Sequence, residues 1–348
     1  MTKMKNDYKP LALVVGGSLI ATVISFLLGH KYLYTIALAV VVGLSFAYGL
    51  GFLQVMLKKH RKCHRWRKIR IGILNDINWN DEEKDEGNKE RNNKVSHVGT
   101  VVTPDDWIVK LKEFLKVERL NSNVEYIKVT SKFEKYSAIL NPYGSVYPET
   151  DLSNLETLHK ILEYVNEGGL FINVADMPFY YAYNNRIKKI FVQQQPGFLL
   201  NTSAEYGNYK PNPFTKEVGL QLVNLDEDGK PTLLPLKTLE GGDIEVGCRR
   251  GAVAGGNVIG HLSKEIKITN ASKNNDESIK AAPVFSIRYG EGEFLISTIW
   301  MSHVENEGKK REAILLTMFE QIFKYLKNMS ENANIKNLGK SKSRTQKH

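Results

Sequence analysis

Two long stretches without a charged residue, Leu11 to Gly29 and Leu33 to Leu57, lie close to the start of this 348-residue chain. A helix rises about 1.5 Å per residue, so roughly 20 apolar residues cross the hydrocarbon layer of a bilayer. Both runs are long enough, and neither carries the polar face of a helix lying on a soluble core. The first lacks a small-residue cleavage pattern and meets the second almost at once, unlike a secretion signal. A transmembrane helical hairpin is therefore predicted for residues 1–57, with spans at 11–29 and 33–57.

Orientation follows from charge. Lys3, Lys5 and Lys9 precede the first run, and only His30 and Lys31 separate the two. KKHRKCHRWRKIR, from Lys58 to Arg70, then supplies eight Lys or Arg and no acid. Short loops rich in Lys and Arg stay on the cytoplasmic side. The expectation is a multi-pass plasma-membrane protein with both termini in the cytoplasm. Its basic juxtamembrane segment, 58–67, would attract anionic lipid, with Trp66 at the interface. Small residues recur at four-residue spacing in each run, as Gly17, Ala21 and Ser25 and as Gly43, Ala47 and Gly51. Such stripes permit close helix packing, within the hairpin or in a homo-oligomer.

The formal charge of +10 is unevenly placed. Residues 1–70 hold 12 Lys or Arg against one acid, and the tail from Glu331 holds five against one. That leaves 31 basic and 36 acidic residues between 71 and 330, a net of −5. An acidic domain is a poor partner for phosphate backbones, so nucleic acid is not expected. Cys63 and Cys248 cannot build a disulfide framework and suit a reducing compartment. His60, Cys63 and His64 have metal-ligand character but no fourth ligand nearby, and no metal site is expected. No cofactor motif stands out. GGNVIGHLS, 255–263, lacks the Lys of a phosphate loop, Gly290-x-Gly292 lacks a third glycine, and HExxH is absent.

After the basic segment, KIRIGIL (68–74) predicts a first strand, followed by a polar, charge-dense loop. Thr103-Pro104 opens a helix to about Val117, with Trp107, Leu111, Phe114 and Leu115 on one face. VEYIKVTS and YSAIL (136–140) predict the second and third strands, the latter ending in the turn-rich NPYGSVYPE. A helix is predicted from Asp151 to about Glu167, with Leu155, Leu158, Ile161, Leu162 and Val165 inward and Gly168-Gly169 as its stop. GLFINVA has no polar alternation, as expected of a strand covered on both faces. The middle, about 190–282, predicts a β-rich irregular insertion with a short helix at 215–222 and strands at LQLVN and DIEVG. PVFSIRYGEGEFLISTIWM predicts a hairpin around Gly290-Glu291-Gly292. A closing helix, 309 to about 327, would bury Ile314, Leu315, Met318, Ile322 and Phe323, ahead of a disordered basic tail at 328–348. Strand–helix–strand alternation predicts an α/β domain over 68–327 with a mostly parallel, doubly wound sheet.

The order KIRIGIL, YSAILNPYG, YVNEGG, LFINVA and RYGEGEFLISTIW resembles the class I glutamine amidotransferase-like superfamily. It is most similar to non-amidotransferase branches such as trehalose-utilisation-type domains and the trimerisation domains of some β-galactosidases. The resemblance implies a flavodoxin-like sheet over about 68–327, with the middle poorly matched. It also implies a strand-to-helix elbow that carries the catalytic Cys in true amidotransferases, served by a later His and acid. The matching elbow, Val174-Ala175-Asp176-Met177, has no Cys, and Cys248 lies elsewhere. His303 falls near the superfamily's His, but without a nucleophile to serve. Glutamine hydrolysis is therefore not carried over.

In open parallel sheets, ligands bind outside the carboxyl ends of the strands. Asn141, Tyr143, Ser145, Asp176 and Tyr180 are the candidate ligand-binding residues on that basis. Tight-turn chemistry also explains Asn, Pro, Gly and Ser in the first stretch. Asp176 has the chemistry of a base or hydrogen-bond acceptor, and equally of a helix cap ahead of Met177-Pro178. Phe179, Tyr180, Tyr181 and Tyr183 either line a pocket or cover the sheet. The leading expectation is a membrane-anchored cytosolic domain that binds an unidentified small molecule or partner. The alternatives are a hydrolase using Asp176 with Glu149 or His303, and a membrane effector or sensor that oligomerises through its hairpin.

Overall fold

The computed structural model describes residues 43–45, 47–49, 69–77, 108–109, 111–113, 116, 122–174, 179, 181–184, 189–191, 213–225, 232–237, 243–248, 250–261, 265–269, 278–299, 320, 322, 324–329 and 331. The chain divides into two units, Met1–Arg61 and Lys62–His348. In the first, residues 43–45 and 47–49 are helical and exposed. Among the described residues no helix is long and apolar enough to cross a membrane. The runs expected to span, 11–29 and 33–57, lie almost wholly outside those residues, as does the basic segment 58–67 with its His60, Cys63 and His64.

Strands in the second unit are β1 (Ile69–Leu74), β2 (Ser122–Ile127), β3 (Ala138–Asn141), β4 (Val146–Glu149), β5 (Leu170–Asn173), β6 (Tyr181–Asn184), β7 (Lys189–Phe191) and β8 (Leu222–Asn224). They continue as β9 (Thr232–Lys237), β10 (Asp243–Cys248), β11 (Arg250–Val253), β12 (Val258–His261), β13 (Ile266–Thr269), β14 (Ser278–Ala282), β15 (Val284–Tyr289) and β16 (Gly292–Ser297). The helices of this unit include α1 (Glu156–Asn166) and α2 (Pro213–Val218). A seven-stranded sheet in the order β12-β15-β16-β5-β3-β1-β2 forms the centre. β2, β1, β3, β5 and β16 run parallel, while β15 pairs antiparallel with both β16 and β12. Smaller sheets order as β13-β14-β11-β8, β4-β6-β7 and β10-β9. The fold is thus α/β with a mostly parallel sheet, as expected.

The apolar pattern explains why both faces of the sheet are covered. Side chains alternate along a strand, so Ile69, Ile71, Ile73, Leu140, Leu170, Ile172 and Leu295 gather on one face. Ile108 and Leu111 of the expected helix after β1 join them, with Ile322 and Leu326 from the closing helix. Ile139, Phe171, Phe285, Phe294 and Ile296 point the other way, onto Leu158, Ile161, Leu162 and Val165 of α1 and onto Phe214 of α2. Burying one such side chain contributes about 1.5–3 kcal/mol.

Several boundaries differ from the expectation. α1 starts at Glu156, five residues later than predicted, because Asp151 caps a preceding turn: its carboxylate accepts the Ser153 and Asn154 N–H groups. Leu155 is half-buried, with a left-handed φ of 51°. β4 occupies residues read as turn; it is the edge of its small sheet, where Pro148 costs no ladder donor. The short helix begins at Pro213 rather than 215. Within the expected insertion, β12 supplies an edge strand of the main sheet. GGNVIGHLS becomes a turn at Gly255-Gly256 followed by β12, and the Asn257 side chain donates to Val218 O at 2.7 Å. Helical residues continue to Glu331, past the expected end at 327.

The two most specific pieces of the sequence pattern meet directly. Gly168 (φ 97°) ends α1, and the Gly169 N–H returns to Tyr164 O at 3.0 Å. The β15–β16 turn lies against this end, with Glu291 N–H donating to Asn166 O (3.0 Å) and Glu293 N–H to Gly169 O (3.2 Å). A Cβ on Gly292 would collide with Val165 O and Gly169 O, and one on Gly290 (φ 60°) with Asn166, including its backbone O at 2.7 Å. Gly292→Ala and Gly290→Ala are each expected to destabilise the domain by about 2–4 kcal/mol, through clash and strain. Gly256→Ala, left-handed but in open space, should lose only about 1 kcal/mol. Urea unfolding of the three variants checks this ordering.

Candidate functional site

The carboxyl edge of the parallel strands is where a ligand is expected, and a chain of hydrogen bonds runs across it. After β1, the Asp76 carboxylate accepts the Val129 N–H at 3.0 and 3.2 Å. The Lys128 ammonium donates to Asn75 O, tying the ends of β1 and β2. The Ile77 N–H donates to the Tyr143 hydroxyl at 3.2 Å, which joins the β1 end to the turn after β3. Asn141, the last residue of β3, lies opposite Asn173, the last of β5. Its Nδ2 donates to Asn173 Oδ1 (2.9 Å), Val146 O (2.9 Å) and Gly144 O (3.3 Å). From α1, Lys160 donates to Val129 O and Ser131 O, 4.4 Å from the Phe133 ring centroid. Burial pushes its ammonium pKa down.

Every residue of NPYGSVYPE is buried, so the turn after β3 is packed into the domain. Gly144 takes a φ of 65° and turns the chain from β3 into β4. Tyr143 packs inward, and burial pushes its phenol pKa up. Ser145, also buried, offers its carbonyl to the Tyr181 N–H at 2.9 Å. In this conformation Asn141 and Tyr143 serve the chain's own backbone.

Glu149 holds the start of α1 from a distance. Leu155, at the N-cap, has no side-chain cap to offer. The Glu149 carboxylate instead accepts N–H groups from Thr157 (2.9 Å) and Leu158 (3.2 Å), and also from Thr150 (2.8 Å) and Asp151 (3.2 Å). A negative group at a helix N-terminus is favoured by the exposed N–H donors and the helix dipole. Burial nevertheless raises its pKa above the ordinary 4.5, with the backbone donors opposing that rise. The neighbouring Tyr147 phenol, hydrogen-bonding toward the carboxylate at looser than ordinary geometry, also opposes that rise.

Three sequence candidates, Asp176, Tyr180 and His303, lie outside the described residues. Phe179 and Tyr183 cover the sheet, both buried, with Phe179 stacked on Phe171 at 5.6 Å. Cys248 is buried in the core on β10, where its backbone is bridged to Ile299. Asn173 was not a candidate from the sequence, and Tyr147 was grouped with the turn after the third strand without a role of its own. A lone Asn inside the apolar LFIN was the available signal for the first, since a buried amide demands a partner. Among the described residues no group of His, Cys, Asp and Glu is arranged to hold a metal.

No protein-family model and no curated protein matches the sequence. Solved structures offer a distant likeness. One is the cold-adapted β-galactosidase from Rahnella sp. R3, 13% identical over 75% of this chain and 31% of that one, with a TM-score of 0.38. Another is the β-galactosidase from Bacillus circulans sp. alkalophilus, at 10%, 73% and 31%, with a TM-score of 0.36. A third is the exo-β-1,4-mannosidase Op5Man5 from Opitutaceae bacterium strain TAV5, at 10%, 72% and 34%, also at 0.36. The chain spans about a third of the length of these proteins.

Two outcomes follow from the Glu149 arrangement. Glu149→Ala strands four N–H groups and is expected to lose about 2–4 kcal/mol in urea unfolding. Because the folded pKa is raised, the glutamate contributes most below its unfolded pKa, and that contribution is lost as pH rises through the folded value. The melting-temperature advantage of the wild type over Glu149→Gln should therefore shrink between pH 4 and pH 7.

Proposed function

We propose that this chain is a membrane-tethered recognition protein. The apolar hairpin holds it at the inner face of the plasma membrane, both termini cytoplasmic, with the basic segment against anionic lipid. The α/β domain binds a small molecule or partner, and Asp176 and Tyr180, which follow β5, contribute contacts. It does so without the thiol chemistry of amidotransferases.

The observation that carries this reading is the chemistry at the end of β5. Positions 174–177 read Val-Ala-Asp-Met, where an amidotransferase needs its nucleophile. Cys248, the one cysteine among the described residues, is sealed in the core. A thiolate attacks only when it is ionised and accessible, and a buried apolar setting opposes both. The tether is supported by the two uncharged runs and the lysine and arginine that flank them.

Fractionation of cells expressing the full-length chain tests the tether. The protein should stay with membranes through alkaline carbonate extraction, and removing residues 1–57 should release it. Recovery of the intact chain in the soluble fraction would sink the tether. For the chemistry, purified full-length protein incubated with glutamine should release no more ammonia than Cys248→Ser. Ammonia release that depends on Cys248 would end the recognition-only reading.

A further inference from the structure

We draw no further inference here: the strongest candidate, the Asp76, Lys128 and Lys160 side-chain cluster at the carboxyl ends of β1 and β2, is engaged with the chain's own backbone N–H and carbonyl groups and belongs to the site already described.

Discussion

Backbone meets backbone where the last turn of α1 crosses the β15–β16 turn, and the geometry of the central sheet follows from that approach. The N–H groups of Glu291 and Glu293 reach Asn166 O and Gly169 O, which places Glu293 opposite Leu170. The other side of β5 then sets Leu170 opposite Ala138 of β3. A slip of one residue would send Phe294 and Phe171 to the face packed by Leu295 and Ile172. Glycine is required at Gly290 and Gly292 because any side chain would occupy the space of the neighbouring main chain. The helix end and the hairpin turn thus form, in physical terms, a joint between two backbones. It lies at the amino ends of the parallel strands, away from the edge where such sheets hold ligands.

The opposite edge is polar, and it is held together by its own polarity. Asp76, Tyr143, Asn141 and Asn173 link the ends of β2, β1, β3 and β5 in turn. Glu149 extends the network to α1. Burying a carboxylate is costly unless it is well paired, and four N–H donors are what makes this one tolerable. The arrangement couples the turn after β3 to the start of the helix, so neither moves without disturbing the other.

What the sequence revealed, and what it hid, divides by the range of the interactions. β1, β5 and the β15–β16 hairpin were legible because their apolar patterns are local and strong. The inward face of α1 was legible for the same reason, at Leu158, Ile161, Leu162 and Val165. β4 was hidden because Asn-Pro-Tyr-Gly-Ser has the composition of a surface turn. Its burial comes from Tyr143 and Tyr147 packing into a core assembled from distant segments. The start of α1 was misplaced because Asp151 looks like a cap, whereas the capping carboxylate comes from Glu149 in the preceding strand. At the candidate site, Asn141, Tyr143 and Glu149 were found as residues, but their engagement with backbone groups was not, since the sequence does not show partners.

The place of β16 has a consequence for how the chain is made. β5 sits in the middle of the sheet, yet one of its two neighbours is β16, the last strand among the described residues. A ribosome that has finished Asn173 must still synthesise β6 through β15 before Glu293 emerges to pair with Leu170. During that interval β5 has an open flank of unpaired N–H and C=O groups beside an apolar surface, the combination that invites wrong partners. Completion of the sheet awaits a long-range closure, which is slow compared with formation of its local elements. Emergence of β16, rather than of the first half of the domain, is the point at which its native centre can close.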